Sequence, residues 1–224
     1  MEIVWVMRVI ILGIIAIVGI IIAYMMTKPS TEKKLPVINP IDLNEEMVDR
    51  DLVRQGFGHK IGSFSFTDQR NQTYGLKDVK GKVFVAEYFF TTCGTICPKM
   101  TAQMERVQKR FNGNHEFKIL SFTVDPKNDS VARMAEYAKL HKANNKQWHF
   151  LTGSQAELYR IARRYFFILK PAEAQNQGDV GSDFIHTNNF VLVDQQQRIR
   201  GYYDGTSEKE VDELMEDIER LLEE

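Results

Sequence analysis

Cysteine is nearly absent: the 224 residues hold two, too few for the disulfide framework that staples small secreted folds. An excess of one charge sign is missing too. Twenty-nine Lys and Arg against 30 Asp and Glu leave a net charge of −1, so no bulk field draws the chain to nucleic acid, and no nucleic-acid partner is expected. Internal repeats and low-complexity tracts are also lacking, which excludes solenoids and arrays. With 6 Pro, 14 Gly, 43% hydrophobic and 26% charged residues, the composition is that of a folding chain. A mass of 26.0 kDa suits one globular domain plus an additional segment.

That segment is apolar. Residues 9–26 (VIILGIIAIVGIIIAYMM) contain no charge, and as a helix they would measure about 27 Å, close to the roughly 30 Å of a bilayer's hydrocarbon. Trp5 and Tyr24 sit where interfacial aromatics are expected, and Arg8 can snorkel. The exit, Tyr24-Met25-Met26-Thr27, lacks an A-x-A cleavage site, so an uncleaved single-pass anchor over residues 1–27 is expected. Arg8 on one side and Lys28, Lys33 and Lys34 on the other leave orientation open by the charge rule. No Arg-rich transit sequence precedes the span, which suits a bacterial inner membrane better than an imported precursor. Residues 28–56, polar and carrying three prolines, read as a tether, and 57–224 as the working domain.

Within the domain, KVFVAEYFF from Lys82 to Phe90 reads as a buried central strand, and FKILSFTV from Phe117 to Val124 as a second. Between them Pro98 takes a favoured first-turn position, and Met100, Met104, Val107 and Phe111 share one helical face. Asp129 reads as a cap for a helix from Ser130 to about His141, completing a βαβ unit. Further on come a short strand at His149–Leu151, a helix from Ser154 to about Tyr165, a polar loop at 170–183, and an antiparallel pair at 189–193 and 198–203. A last helix follows, with Ser207 and Glu210 as its capping box. The order predicts an α/β fold, a central mixed sheet flanked by helices.

The two cysteines fall together in Cys93-Gly94-Thr95-Ile96-Cys97, between the carboxyl end of that central strand and a helix N-terminus, where open α/β sheets place ligand sites. The helix partial charge favours thiolate at Cys97. Three intervening residues are one more than in the C-x-x-C of dithiol oxidoreductases. The pair can close a disulfide or offer two sulfurs to one metal ion, and a metal then needs a further ligand. Of five histidines, His115 lies in a polar turn, His141 at a helix C-terminus, His149 beside its strand and His59 ahead of the first strand. His186 alone enters the last hairpin from a long Gly-containing loop, a connection type that often carries function. Met100 and Met104 read as core by their spacing, and Asp125 and Asp129 as strand-end and capping residues.

The run from Lys82 through Cys93-x-x-x-Cys97-Pro98, with Thr123-Val124-Asp125-Pro126-Lys127-Asn128-Asp129, Trp148-His149-Phe150-Leu151-Thr152-Gly153 and His186-Thr187 ahead of a strand, resembles the Sco/SenC family. These are membrane-anchored, thioredoxin-like proteins that handle copper for cytochrome oxidase assembly. The resemblance implies a thioredoxin-like domain with Cys93, Cys97 and His186 as copper ligands. Gly94 and Thr95 stand where the family usually has Pro and an acidic residue, and Ile185 where an acidic residue commonly precedes the histidine. Two thiolates and an imidazole suit Cu(I), and a harder fourth ligand completes a Cu(II) site. The implied function is delivery of copper to the dinuclear copper site of a cytochrome c oxidase subunit, by a metallochaperone anchored in the bacterial inner membrane and facing the periplasm. Two alternatives stay open. One is a thiol:disulfide oxidoreductase, served by a thiol reductant partner, in which Cys93 and Cys97 are a redox-active pair that keeps the client's copper-site cysteines reduced. The other is a redox-sensing partner protein using the 170–183 loop as its contact surface.

Overall fold

The computed structural model describes residues 2–27, 34–44, 48–168 and 188–224, in two compact units, Met1–Lys34 and Leu35–Glu224. The first unit is the helix α1, Glu2–Thr27, as the apolar run predicts. Among the described residues, no helix is long and apolar enough to cross a membrane. The expected bilayer span therefore rests on the sequence alone.

The second unit opens with a 3₁₀ turn, Pro40–Asp42, and the short helix α2, Arg50–Gln55. There follow β1 (Ser65–Asp68), β2 (Thr73–Gly75), α3 (Leu76–Val79), β3 (Val83–Phe89), α4 (Cys97–Arg110), β4 (Phe117–Thr123) and α5 (Val131–Leu140). The chain closes with β5 (Trp148–Thr152), α6 (Gln155–Arg164), β6 (Asn189–Val193), β7 (Ile199–Asp204) and α7 (Glu208–Glu223). The described strands form one sheet in the order β2-β1-β5-β4-β3-β6-β7. The three inner strands β3, β4 and β5 run parallel, and the flanking strands pair antiparallel, so the sheet is mixed.

Every residue of β3 and β4 is buried. Parallel strands joined by crossover helices are covered on both faces, which is why they read as continuous apolar runs. Two apolar layers result. Phe64, Phe66, Phe84, Phe122 and Phe166 fill one, against α6. Met100, Met104, Phe117, Trp148 and Leu214 fill the other, beneath α4, α5 and α7.

Most predicted elements appear within a residue or two of their expected ends. The β2 strand and α3 were not expected, because three and four residues are too short to show a period. The turn from β1 to β2 is organised by Asp68, whose carboxylate accepts from the Arg70 and Gln72 amides at 2.9 and 3.0 Å while Asn71 takes φ +60°. The capping box of α7 is only half built. Ser207 accepts from the Glu210 amide, but the Glu210 carboxylate turns to the Asp204 amide at 2.6 Å.

Part of the segment expected as a tether packs on the second unit, which includes Leu35 onward. Ile38 bridges to Ile199, Val48 is buried, and Leu43, Leu52 and Val53 pack on the aromatic layer. Arg200 donates to the Leu35 and Pro36 carbonyls, and Asp49 pairs with Arg163 and Arg164. The apolar residues of this lead-in come singly or in pairs among prolines and charges, too short a run to show a period that would mark them as core. A chain starting at Leu35 is expected to melt about 5–10 °C above one starting at Phe57, from roughly 2–3 kcal/mol of lost packing and pairing. Equal midpoints by circular dichroism would show the segment to be a free tether.

Candidate dithiol and metal site

At the carboxyl end of β3 the chain leaves the sheet. Phe89 is still paired with Thr123, and the Cys93 amide donates to the Phe90 carbonyl at 3.2 Å, curling the chain into a turn. Helix α4 begins at Cys97, with Pro98 in its first turn. Its face of Met100, Met104 and Val107 is buried, and that packing sets where Cys97 lies. Cys97 is buried, Cys93 is half-buried, and both are free thiols.

The sulfurs differ in chemistry. Cys93 Sγ accepts from the Cys97 amide at 3.4 Å and lies 3.7 Å from Thr95 Oγ1. Partial burial pushes Cys93 upward, but the Cys97 thiol and the Thr95 and Cys97 backbone amides outweigh it and bring Cys93 down to about 7. Burial drives Cys97 the other way, up to about 12, with further contributions from Cys93 and Glu87. The thiolate expected at Cys97 thus belongs to Cys93. The Thr95 and Cys97 amides face the Cys93 sulfur, while the Cys97 sulfur sinks into the apolar layer and loses its solvation.

One contributor to that environment escaped the sequence reading. Glu87 sits in mid-strand of β3, fully buried, and burial raises it to about 7 against the hydrogen bond from Ser121. Ser121 Oγ donates to it at 2.5 Å and receives the Trp148 indole N–H at 2.8 Å. A lone glutamate inside KVFVAEYFF could have signalled it: an acid in a strand buried on both faces must find a partner.

His186 lies outside the described residues, so the three expected ligands are not seen together. Among the described residues, no group of three or more His, Cys, Asp or Glu could hold a metal ion. The described residues supply two soft sulfur donors on one turn, a set that fits copper and leaves the remaining donor to come from elsewhere. Three of the other four histidines have structural partners. His59 bonds the Tyr165 carbonyl at 2.9 Å, His141 pairs with Glu105 at 2.8 Å, and His115 is exposed. His149 is buried and stacks on Tyr74 at 3.7 Å, its Nδ1 3.5 Å from Asp68. Met100 and Met104 are core residues, as their spacing predicts.

A half-exposed low-pKa thiol beside a buried one, where a parallel strand turns into a helix, defines an α/β protein of thioredoxin-like fold. The SCO1/SenC family model matches residues 54–223, and the chain belongs to that family. It is 32% identical over 169 residues to the SCO1 protein homolog of Bacillus subtilis (strain 168), covering 74% of this chain and 84% of the relative. A solved structure of BsSco has 30% identity and a TM-score of 0.62, over 74% of this chain and 94% of that one. It is described as having a disulfide switch and as a member of the Sco family of cytochrome c oxidase assembly proteins. The structure of Bradyrhizobium japonicum ScoI with copper bound, at 22% identity and a TM-score of 0.58 over 73% of this chain and 99% of that one, shares the fold.

Two outcomes follow from these environments. In the metal-free protein, iodoacetamide should modify Cys93 with a midpoint near pH 7 and leave Cys97 unmodified up to pH 9, read by mass spectrometry of the 93–97 peptide. Modification led by Cys97 would reverse the assignment. Burial lowers His149 from 6.5 to about 4, against the opposing effect of Asp68. Between those values the unfolded chain binds the extra proton, so the contribution of His149 to stability is present above pH 6.5 and is lost as the pH falls toward 4. His149→Phe should flatten the decline of the melting midpoint between pH 6.5 and 4.5, and parallel curves would contradict it.

Proposed function

We propose that this protein is a copper-carrying assembly factor that passes one copper ion, its cargo, to the dinuclear copper site of a cytochrome c oxidase subunit. The observation that carries the reading is the paired sulfurs of Cys93 and Cys97 on one turn, one accessible and ionised near neutral pH. Cys93 is the donor an incoming ion meets first, and Cys97 becomes a ligand on losing its proton. His186 is proposed as the third donor. Two thiolates and an imidazole hold Cu(I) well, and BsSco is a member of the Sco family of cytochrome c oxidase assembly proteins. Residues 1–27 are proposed as the single-pass anchor in a bacterial inner membrane, with the domain facing the periplasm.

A second reading has its own support. The unequal thiols suit exchange chemistry, in which Cys93 thiolate attacks a client disulfide and Cys97 resolves the mixed disulfide, and a disulfide switch is described in the relative at 30% identity. On that reading a separate thiol reductant returns the pair to the dithiol.

His186→Ala separates the two. Loss of a third strong donor should weaken 1:1 copper binding at least about tenfold while Cys93 and Cys97 still cycle, and Cys93→Ala or Cys97→Ala should abolish both. The deciding measurement is oxidase assembly under limiting copper. Full assembly by a His186→Ala protein that no longer retains copper would remove the carrier reading and promote the reductase.

A further inference from the structure

Asp129 was expected to cap the helix that follows it. The structure gives the cap of α5 to Ser130, whose hydroxyl accepts from the Arg133 amide at 3.3 Å, and turns Asp129 inward, where it has no exposed surface. Its Oδ1 accepts from the Thr91 hydroxyl at 2.5 Å and from the Thr91 amide at 3.2 Å. Its Oδ2 accepts from the Thr123 hydroxyl at 2.5 Å. Thr123 Oγ1 in turn receives the Asp125 amide at 2.9 Å, and the Asp129 amide donates to the Asp125 carbonyl at 2.8 Å. One carboxylate therefore joins the exits of two neighbouring parallel strands. Thr91 begins the loop that carries Cys93, and Thr123 ends β4.

A buried carboxylate is tolerated only when its lone pairs are filled, and here every donor comes from those two exits. We propose that Asp129 is a positioning residue for the dithiol: it pins the start of the cysteine loop to the end of β4 and holds the loop in its reduced conformation. It bonds to neither sulfur in the structure. Its effect is on where the turn after Phe90 begins, and so on how Cys93 Sγ meets the Cys97 amide. The clamp is seen with both thiols free, so on this proposal closing the Cys93–Cys97 bond moves the loop against it. Loosening the clamp therefore favours the disulfide.

The test uses the full chain, without metal, equilibrated with glutathione and glutathione disulfide. In this exchange the two thiols form the Cys93–Cys97 bond, giving two electrons and two protons to glutathione disulfide, whose S–S bond breaks to yield two glutathione thiols. Asp129→Asn keeps the shape but swaps an acceptor oxygen for an amide that faces donors. Thr91→Val removes one donor and keeps the backbone amide. Each should shift the equilibrium at least about fivefold toward the disulfide, the effect of roughly one buried hydrogen bond. The double variant should shift it by less than the product of the two. Leu158→Ala, buried in the aromatic layer on the other face of the sheet, should lower the melting midpoint and leave the equilibrium unchanged. Asp129→Asn that only lowers the midpoint, a shift toward the dithiol, multiplicative single effects, or a wild-type pair that forms no disulfide would each overturn the proposal. Thr91→Val gives the answer if Asp129→Asn fails to fold. The readout needs no copper, so a wild-type chain that binds none would remove the carrier reading and leave this test standing.

Discussion

The burial of β3 on both faces, between β4 and β6, is the constraint on which the site depends. A strand hydrogen-bonded on both edges and packed on both sides cannot shift, so the point where it ends is fixed. Helix α4 must then lay Met100, Met104 and Val107 on the layer beneath it, and that requirement sets the height of its first turn. Between a fixed strand end and a fixed helix start only a short loop remains. Cys93 and Cys97 are its chemistry.

Placement at this junction makes two identical side chains unlike each other. The first-turn amides of α4 have no intrahelical acceptor, and Cys93 Sγ takes one of them. Cys97, one turn on, points into the apolar layer, where a negative charge is poorly solvated and the Glu87 carboxyl opposes it further. The same pair offers an accessible thiolate for a soft metal or a disulfide, and a guarded thiol that acts second. Copper handling and thiol exchange both need that order. Geometry at the sulfurs alone therefore does not separate the two, and the third donor does.

The loop is anchored from outside as well. Parallel neighbours end at the same edge of a sheet, so the exits of β3 and β4 lie side by side, and Asp129 occupies the gap between them. At the far end of the unit, Asp194 plays a comparable part. It is fully buried, accepts from the Gln196 and Arg198 amides and pairs with Arg198 and Arg200, and Arg200 carries the link on to Leu35 and Pro36. Buried carboxylates with several donors mark the turns that hold this fold together.

The sequence by itself determined the elements with a period or a long apolar run: α1, β3, β4, α4 and α7. It also determined that the two cysteines sit at a strand-to-helix junction, because Pro98 and the spacing of Met100, Met104, Val107 and Phe111 fix where α4 begins. Ordered motifs carried the family as well. Only the tertiary structure decided which cysteine ionises, since desolvation of Cys97 depends on what α4 covers rather than on its neighbours in the chain. Only there do Glu87 and Ser121, or Asp129 and Thr91, meet, because these pairs lie 34 and 38 residues apart. The lead-in from Leu35 to Gly56 shows the same limit: Ile38 and Val48 stand in two-residue apolar steps too short to show a period, yet Ile38 bridges to Ile199 and Val48 is buried with the aromatic layer. Local periodicity reports which face of an element is apolar, whereas solvation and hydrogen-bond partners belong to the assembled sheet.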